Sequence, residues 1–349
     1  MEHRGAFGHA HRMRFSDDPR IAVWEREKAR VDANEPPPNG EKPPRRHHYV
    51  PEMYLNRFAA RTTPKGAMRV QRTDAKAGRE SSIVIGVHDA AVETDFYNIE
   101  TDDPRRVHEA EHVISVFESA AGHAFANLDR LGPDHFPDDI DRENLALFMA
   151  LQFVRGHDTG DFQTRYYTQT SRMLMRVDAS SSDYVRNFLD ERGDNASEEA
   201  VAKAAGMFRD AAKTMSVIPH KNETIEAVLR GAIDFMPYFF KRRWIVARSP
   251  IPLLTSDRPI VLLEQQDPSE AWRGTGLGTA DAIVYVLDRR RALIMRHPEP
   301  GNEEGVVDIN ARSARWLNIA VANHARRYIF HHPDDKPLDG LPFNPKATA

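Results

Sequence analysis

Apolar positions change their period along the chain, and the change divides it into regions. Val107, Ala110, Ile114, Phe117, Ala121, Ala124, Leu128 and Leu131 recur every three or four residues. That spacing builds one apolar stripe on a helix. Asp103 is the expected cap, Pro104 the first helical residue and Gly132 the stop. A second helix is expected from near Asp141, with Leu145, Phe148 and Met149 on its apolar face, and helical patterns return over Tyr166–Arg176, Glu198–Met215 and Glu223–Phe240. Beyond Phe240 the pattern shortens into apolar runs bounded by turn residues. Trp244–Ala247, Pro252–Thr255, Ile260–Leu263, Ile283–Leu287 and Ala292–Met295 read as strands. Ala311–His324 reads as a last helix and Arg327–Phe330 as a last strand, while Met68–Gln71 and Ser82–Val87 read as earlier strands. Helices gathered in the middle and strands gathered late imply an α+β fold, with a central helical layer packed on a mainly antiparallel C-terminal sheet.

The flanks read differently. Ser16 is placed to cap a helix over Asp17–Ala33, and Pro36-Pro37-Pro38-Asn39-Gly40 with Pro43-Pro44 then breaks it. We expect residues 1–46 to be an extension, mobile over 1–15 and extended over 35–45. Residues 47–331 are expected to form a single α+β domain and 332–349 a loose tail.

Composition removes whole classes of function. The chain of 349 residues has no cysteine, which excludes thiolate metal sites, disulfides and cysteine nucleophiles. With 40% hydrophobic residues and a net charge of −4, the chain can bury a sizeable core. No run approaches the roughly 18 apolar residues of a membrane helix. No secretory signal is visible at the N-terminus, so the expected location is the cytoplasm. Charge is uneven: residues 104–240 carry 15 basic and 22 acidic side chains, residues 241–331 carry 14 and 10. A basic C-terminal region can steer an anionic ligand, a small molecule or a nucleic acid. The Arg289-Arg290-Arg291 run reads as a solvated hairpin tip, and Gly274-Thr275-Gly276-Leu277-Gly278 as a loop without phosphate-binding context.

Chemistry concentrates in Arg45-Arg46-His47-His48-Tyr49-Val50-Pro51-Glu52-Met53-Tyr54-Leu55-Asn56-Arg57-Phe58. Adjacent residues of a strand point to opposite faces, so one histidine can enter a site while its neighbour packs. On the helix near Asp141, Gln152 and Arg155 interrupt an apolar face, and a buried guanidinium needs a partner. Asp257, between an apolar strand and Pro259, is the partner expected. This gathers a candidate site of His48, Gln152, Arg155 and Asp257, with His47, Asp95 and Asn310 beside it. His48 would move a proton, Arg155 would hold an anion bidentately, and Asp257 would orient one of them or bind a divalent metal. The cofactor and oligomeric state stay open. The activity this implies is hydrolysis of a phosphodiester or nucleotide.

Two alternatives stay open beside it. His108-Glu109-Ala110-Glu111-His112 fits the H-E-x-x-H spacing of helical zinc peptidases, with Glu118 at the third-ligand offset of His108 and His112. Against that reading, the histidine pair points away from the apolar stripe. The other alternative is a non-enzymatic binding module in which the same polar residues are structural.

The His-His-Tyr-Val-Pro opening resembles that of a widespread microbial family of uncharacterised proteins, known as a domain of unknown function. Asp95-Phe96-Tyr97, Leu151-Gln152-Phe153-Val154-Arg155, Thr255-Ser256-Asp257-Arg258-Pro259 after Trp244, and Ile309-Asn310 resemble its later elements, in order. The likeness spans about residues 47–330. It departs at Arg258, where a small or amide residue is more usual. The resemblance implies a shared fold and site geometry and brings no established activity.

Overall fold

The computed structural model describes residues 45–61, 66–102, 107–264, 274–299, 301 and 303–341. The expected helix over Asp17–Ala33, the linker after it, the Asp103 cap and Pro104 lie outside the described residues. By internal contacts the chain divides into two compact units, residues 157–227 and the remainder on either side.

The first unit begins with strand β1 (Arg46–His48), helix α1 (Glu52–Leu55) and strands β2 (Ala60–Arg61), β3 (Met68–Asp74), β4 (Ile83–Gly86) and β5 (Val92–Thr94). Helices α2 (Glu109–Leu131) and α3 (Asp139–Val154) follow. They run antiparallel, with Phe125 edge-on to Phe148 at 5.8 Å. Asp138 caps α3 by accepting from the Asp141 N–H at 2.8 Å. Gly132 ends α2 with φ of 91°, a left-handed value that glycine adopts without a Cβ clash. The helix starts at Glu109, and Val107 lies in the turn before it.

Within the second unit are α4 (His157–Asp178), α5 (Ser182–Glu191), α6 (Glu198–Thr214) and the start of α7 (Lys221–Phe240). Its small core is Val185, Leu189, Val201 and Ala205, with Phe188 edge-on to Phe208 at 5.1 Å.

From Val228 the chain belongs again to the first unit. Strands β6 (Arg243–Arg248), β7 (Thr255–Ser256), β8 (Ile260–Leu263), β9 (Ala282–Val286), β10 (Arg291–Arg296) and β11 (Gly305–Asp308) lead to helix α8 (Ala311–His324) and strand β12 (Tyr328–His331). One sheet has the order β11-β6-β10-β9-β8, antiparallel except for β11 on β6. A second runs β2-β3-β12-β7, with β4 also on β3, and β1 pairs β5 in a two-stranded ribbon. The expected α+β architecture with a helical middle and mostly antiparallel sheets is what the chain adopts. Every residue of β9 is buried, as its unbroken apolar run requires. Among the described residues no helix is long and apolar enough to cross a membrane.

Three local expectations change. Pro252–Thr255 yields only the two-residue β7, because Leu254 and Pro252 are held by the side chain of Asn318 instead of a neighbouring strand. The Arg289–Arg291 run is not a solvated tip. Arg289 makes a bidentate pair with Asp335, Arg290 donates to the Pro250 carbonyl, and Arg291 is buried against Asp288 and Asp129. The described part of the tail is packed rather than loose, since Leu338 and Leu341 join the core.

Candidate functional site

The histidine pair separates as strand geometry demands. β1 pairs β5 with His47 opposite Glu93 and His48 opposite Val92. His47 points inward and is 0% exposed. It stacks on Tyr97 at 5.7 Å, and its Nδ1 accepts from the Tyr97 N–H at 2.8 Å. His48 turns to the opposite face. Tyr54, one helical turn into α1, anchors the segment: its hydroxyl donates to the Val286 carbonyl at 2.7 Å, lies 2.8 Å from Thr255 Oγ1, and its ring stacks on Tyr285. The histidine motif is thereby fastened to the C-terminal sheet.

Arg155 is the buried hub beneath it. Its Nη1 donates to Glu118 Oε1, its Nη2 to the main-chain carbonyl of His48, and its Nε to the Tyr97 hydroxyl at 3.2 Å. The Tyr97 hydroxyl in turn donates to the Arg155 carbonyl at 2.9 Å. The guanidinium is therefore partnered as its burial requires, though by Glu118 and not by Asp257. Glu118 meets its charge, and Nε, Nη1 and Nη2 each have a protein partner. Glu111, two turns before Glu118 on α2, is mostly buried, and its Oε2 has no hydrogen-bond partner. Burial pushes its carboxyl up to about 7, against the opposing pull of Arg155. Gln152 is buried one turn before Arg155, with neither amide atom hydrogen-bonded.

The remaining expected site residues each meet neighbouring groups of the chain. Asp257 accepts from the backbone N–H groups of Arg326, Arg327 and Tyr328 at 2.8, 2.7 and 3.0 Å. It holds the entry to β12, and burial still raises its carboxyl above the usual range. Asn310 caps α8 by accepting from the Ser313 N–H at 2.9 Å. Asp95, in a left-handed turn with φ of 56°, pairs bidentately with exposed Arg45 and accepts from Asn98. Arg45 holds the Asp95 carboxyl below its ordinary value.

What converges with His48 is a pair not expected together. The Nε2 of His48 is 3.1 Å from Glu52 Oε1, and the Nδ1 of His88 is 2.7 Å from the same oxygen. The His48 Nδ1 lies 3.1 Å from the Ala90 carbonyl. Burial lowers the His48 pKa, with Glu52 opposing. Side-chain exposure grows outward, from 13% at His48 through 40% at Glu52 to 66% at His88. His88 belongs to a 3₁₀ turn, Val87–Asp89, between β4 and β5, and the pairing of β5 with β1 brings it here. Ala91, just after the Ala90 carbonyl, has φ of 49°, a left-handed value costly for alanine. Glu52 was within reach of sequence reasoning, four residues after His48 in a motif already singled out. His88 carried no signal, because its place depends on a ribbon register that apolar periodicity does not reveal.

Among the described residues, His48, Glu52 and His88 are the one group of three His, Asp or Glu side chains whose ligand atoms lie within 4.8 Å of one another. The alternative zinc set of His108, His112 and Glu118 forms no such group. His108 stands at the N-cap of α2 with φ of −109° and ψ of 10°, its carbonyl accepts the His112 N–H at 3.1 Å, and Glu118 is spent on Arg155.

The family model described as "Protein of unknown function (DUF4238)" matches residues 46–335, and the chain belongs to that family. No curated protein and no solved structure matches it.

Proposed function

We propose that this chain is a hydrolase of an anionic ester, a phosphodiester or nucleotide, with His48, Glu52 and His88 as its reactive centre. The observation that carries the reading is one carboxylate oxygen of Glu52 faced by two imidazole nitrogens at a partly open surface. Such a group can take a proton from water. The hydroxide then attacks phosphorus, and the ester oxygen leaves and is protonated by solvent. Arg46, paired with Asp89 but 44% exposed, brings positive charge that a negatively charged substrate would meet. It is on the same face of β1 as His48 by strand alternation, and its Nη2 donates to the His88 carbonyl at 3.2 Å and to Asp89 at 2.7 Å. Arg155 and Tyr97 serve as a rigid floor that holds the His48 main chain.

A panel of phosphomonoesters, phosphodiesters and nucleotides tests this. Wild-type protein is expected to hydrolyse at least one class, and His48→Ala and Glu52→Gln each to lose on the order of 100-fold or more in kcat/KM. Turnover that survives both substitutions, or no turnover of any member, would contradict the reading.

A further inference from the structure

The orientation of His48 poses a chemical question that its neighbours answer. The carbonyl of Ala90 can only accept, so the Nδ1 of His48, 3.1 Å away, carries the proton. Its Nε2 then presents a lone pair unless the ring is doubly protonated. Yet Nε2 faces Glu52 Oε1 at 3.1 Å, an oxygen that also has an acceptor's electron pairs. The pair is joined either by a second ring proton, which makes it an ion pair, or by a cation that takes both lone pairs. The second imidazole, His88, approaches the same oxygen at 2.7 Å.

We infer that His48 Nε2, Glu52 and His88 Nδ1 are the three protein ligands of a divalent transition-metal ion of the zinc class. The set is chemically suited: two neutral imidazoles and one carboxylate, with no cysteine, are a catalytic rather than a structural donor set. Its dimensions suit as well. Bonds of about 2.1 Å in a tetrahedron separate ligand atoms by roughly 3.4 Å. The two measured separations, 3.1 and 2.7 Å, are hydrogen-bond distances, about 0.3 and 0.7 Å short of that spacing, and no pair exceeds 4.8 Å, so binding would spread the ligand atoms slightly. His88, with a side chain 66% exposed, is the most exposed of the three ligands. The outer contacts are those a metal-bound histidine uses. A ligating imidazole almost always donates its other N–H to a carbonyl or carboxylate, as His48 does to Ala90. The His48 main chain is further held by Arg155 from below. Three protein ligands at a solvent-facing rim would leave a fourth position for water, and with the ion bound the acidified water, in place of a ligating base, would supply the hydroxide.

This inference rests on the proposed reactive centre but is tested without activity. Full-length protein is stripped with a chelator, dialysed, and titrated with Zn²⁺ by calorimetry and with Co²⁺ by visible absorption. One equivalent is expected to bind, with the intense d–d bands of a low-coordinate Co²⁺ site. His88→Ala, on an exposed turn, should keep the far-UV circular dichroism of the wild type. It and Glu52→Gln should each weaken binding by more than the 10–100-fold that even an outer-sphere partner is worth. His112→Ala should bind as the wild type does. Absence of stoichiometric binding overturns the inference. So does one equivalent that survives His88→Ala and Glu52→Gln, or one that is lost in His112→Ala. Metal binding without hydrolysis of any ester would leave the metal site standing and remove the hydrolase reading. Hydrolysis that persists after chelation would do the reverse.

Discussion

Glu111 has a carboxyl with one oxygen sealed from solvent and no donor to meet it, while the nearest cation, Arg155, is already held by Glu118. Burial raises it from 4.5 to about 7. The folded state therefore binds its proton more tightly than the unfolded chain does. Stability linked to this group is full below pH 4.5, falls as pH rises through 7, and is level above. At about 1.4 kcal/mol per pKa unit, and allowing for the part of the side chain that reaches solvent, the fall is on the order of 2–3 kcal/mol. Glu111→Gln should flatten it and raise stability at pH 8 by a similar amount. Urea unfolding of both proteins at pH 5 and pH 8 checks this. A wild type with the same slope as the variant would show that Glu111 is not buried as described.

Between elements, Asp257 is the clearest joint. Three consecutive N–H groups at the start of β12 converge on one carboxylate, with Thr255 two residues earlier meeting Tyr54 of α1. Asp257→Asn retains the shape, removes the charge and sets an NH2 where one carboxylate oxygen accepts, so at least one of the three hydrogen bonds is lost. Charge-assisted bonds exceed neutral ones by about a factor of two, so a loss of roughly 2 kcal/mol is expected. Metal affinity and any hydrolysis should be unchanged, because the Asp257 carboxylate is taken up by three backbone N–H groups. A variant that keeps its stability and loses activity would return Asp257 to the reactive centre. The same joint shows what sequence can and cannot reveal. That Asp257 ends a buried strand was visible from the apolar run and Pro259. That its carboxylate is spent on backbone was not, because those N–H groups lie seventy residues on and carry no side-chain signature. Arg155 repeats the lesson. Its need for a buried anion followed from burial alone, but the choice of Glu118 over Asp257 depended on the antiparallel register of α2 and α3.

For the chain as a whole, periodicity located the long elements and missed those built from few residues. The stripes of α2 and α3, the all-buried β9 and the capped α8 were legible because each repeats its signal over many positions. The three-residue β1 and β5 offer too little pattern to read, and the centre at His48, Glu52 and His88 is assembled by their pairing. The unit over residues 157–227 could not be told apart from its surroundings, since its helices share the same period. It does differ in core: four small or medium residues anchor it, and α4 has no buried residue among those described. Amide exchange should therefore be faster in α4–α6 than in α3, β9 and β10. Equal protection throughout would contradict a thinner core in that unit.

The central claim is that His48, Glu52 and His88 meet at one metal-binding point. Anomalous diffraction at the zinc edge, from crystals grown with one equivalent of Zn²⁺, tests it most directly. A single peak within bonding distance of His48 Nε2, a Glu52 oxygen and His88 Nδ1 is the predicted result. A peak at His108 and His112, or none near His48, would contradict it.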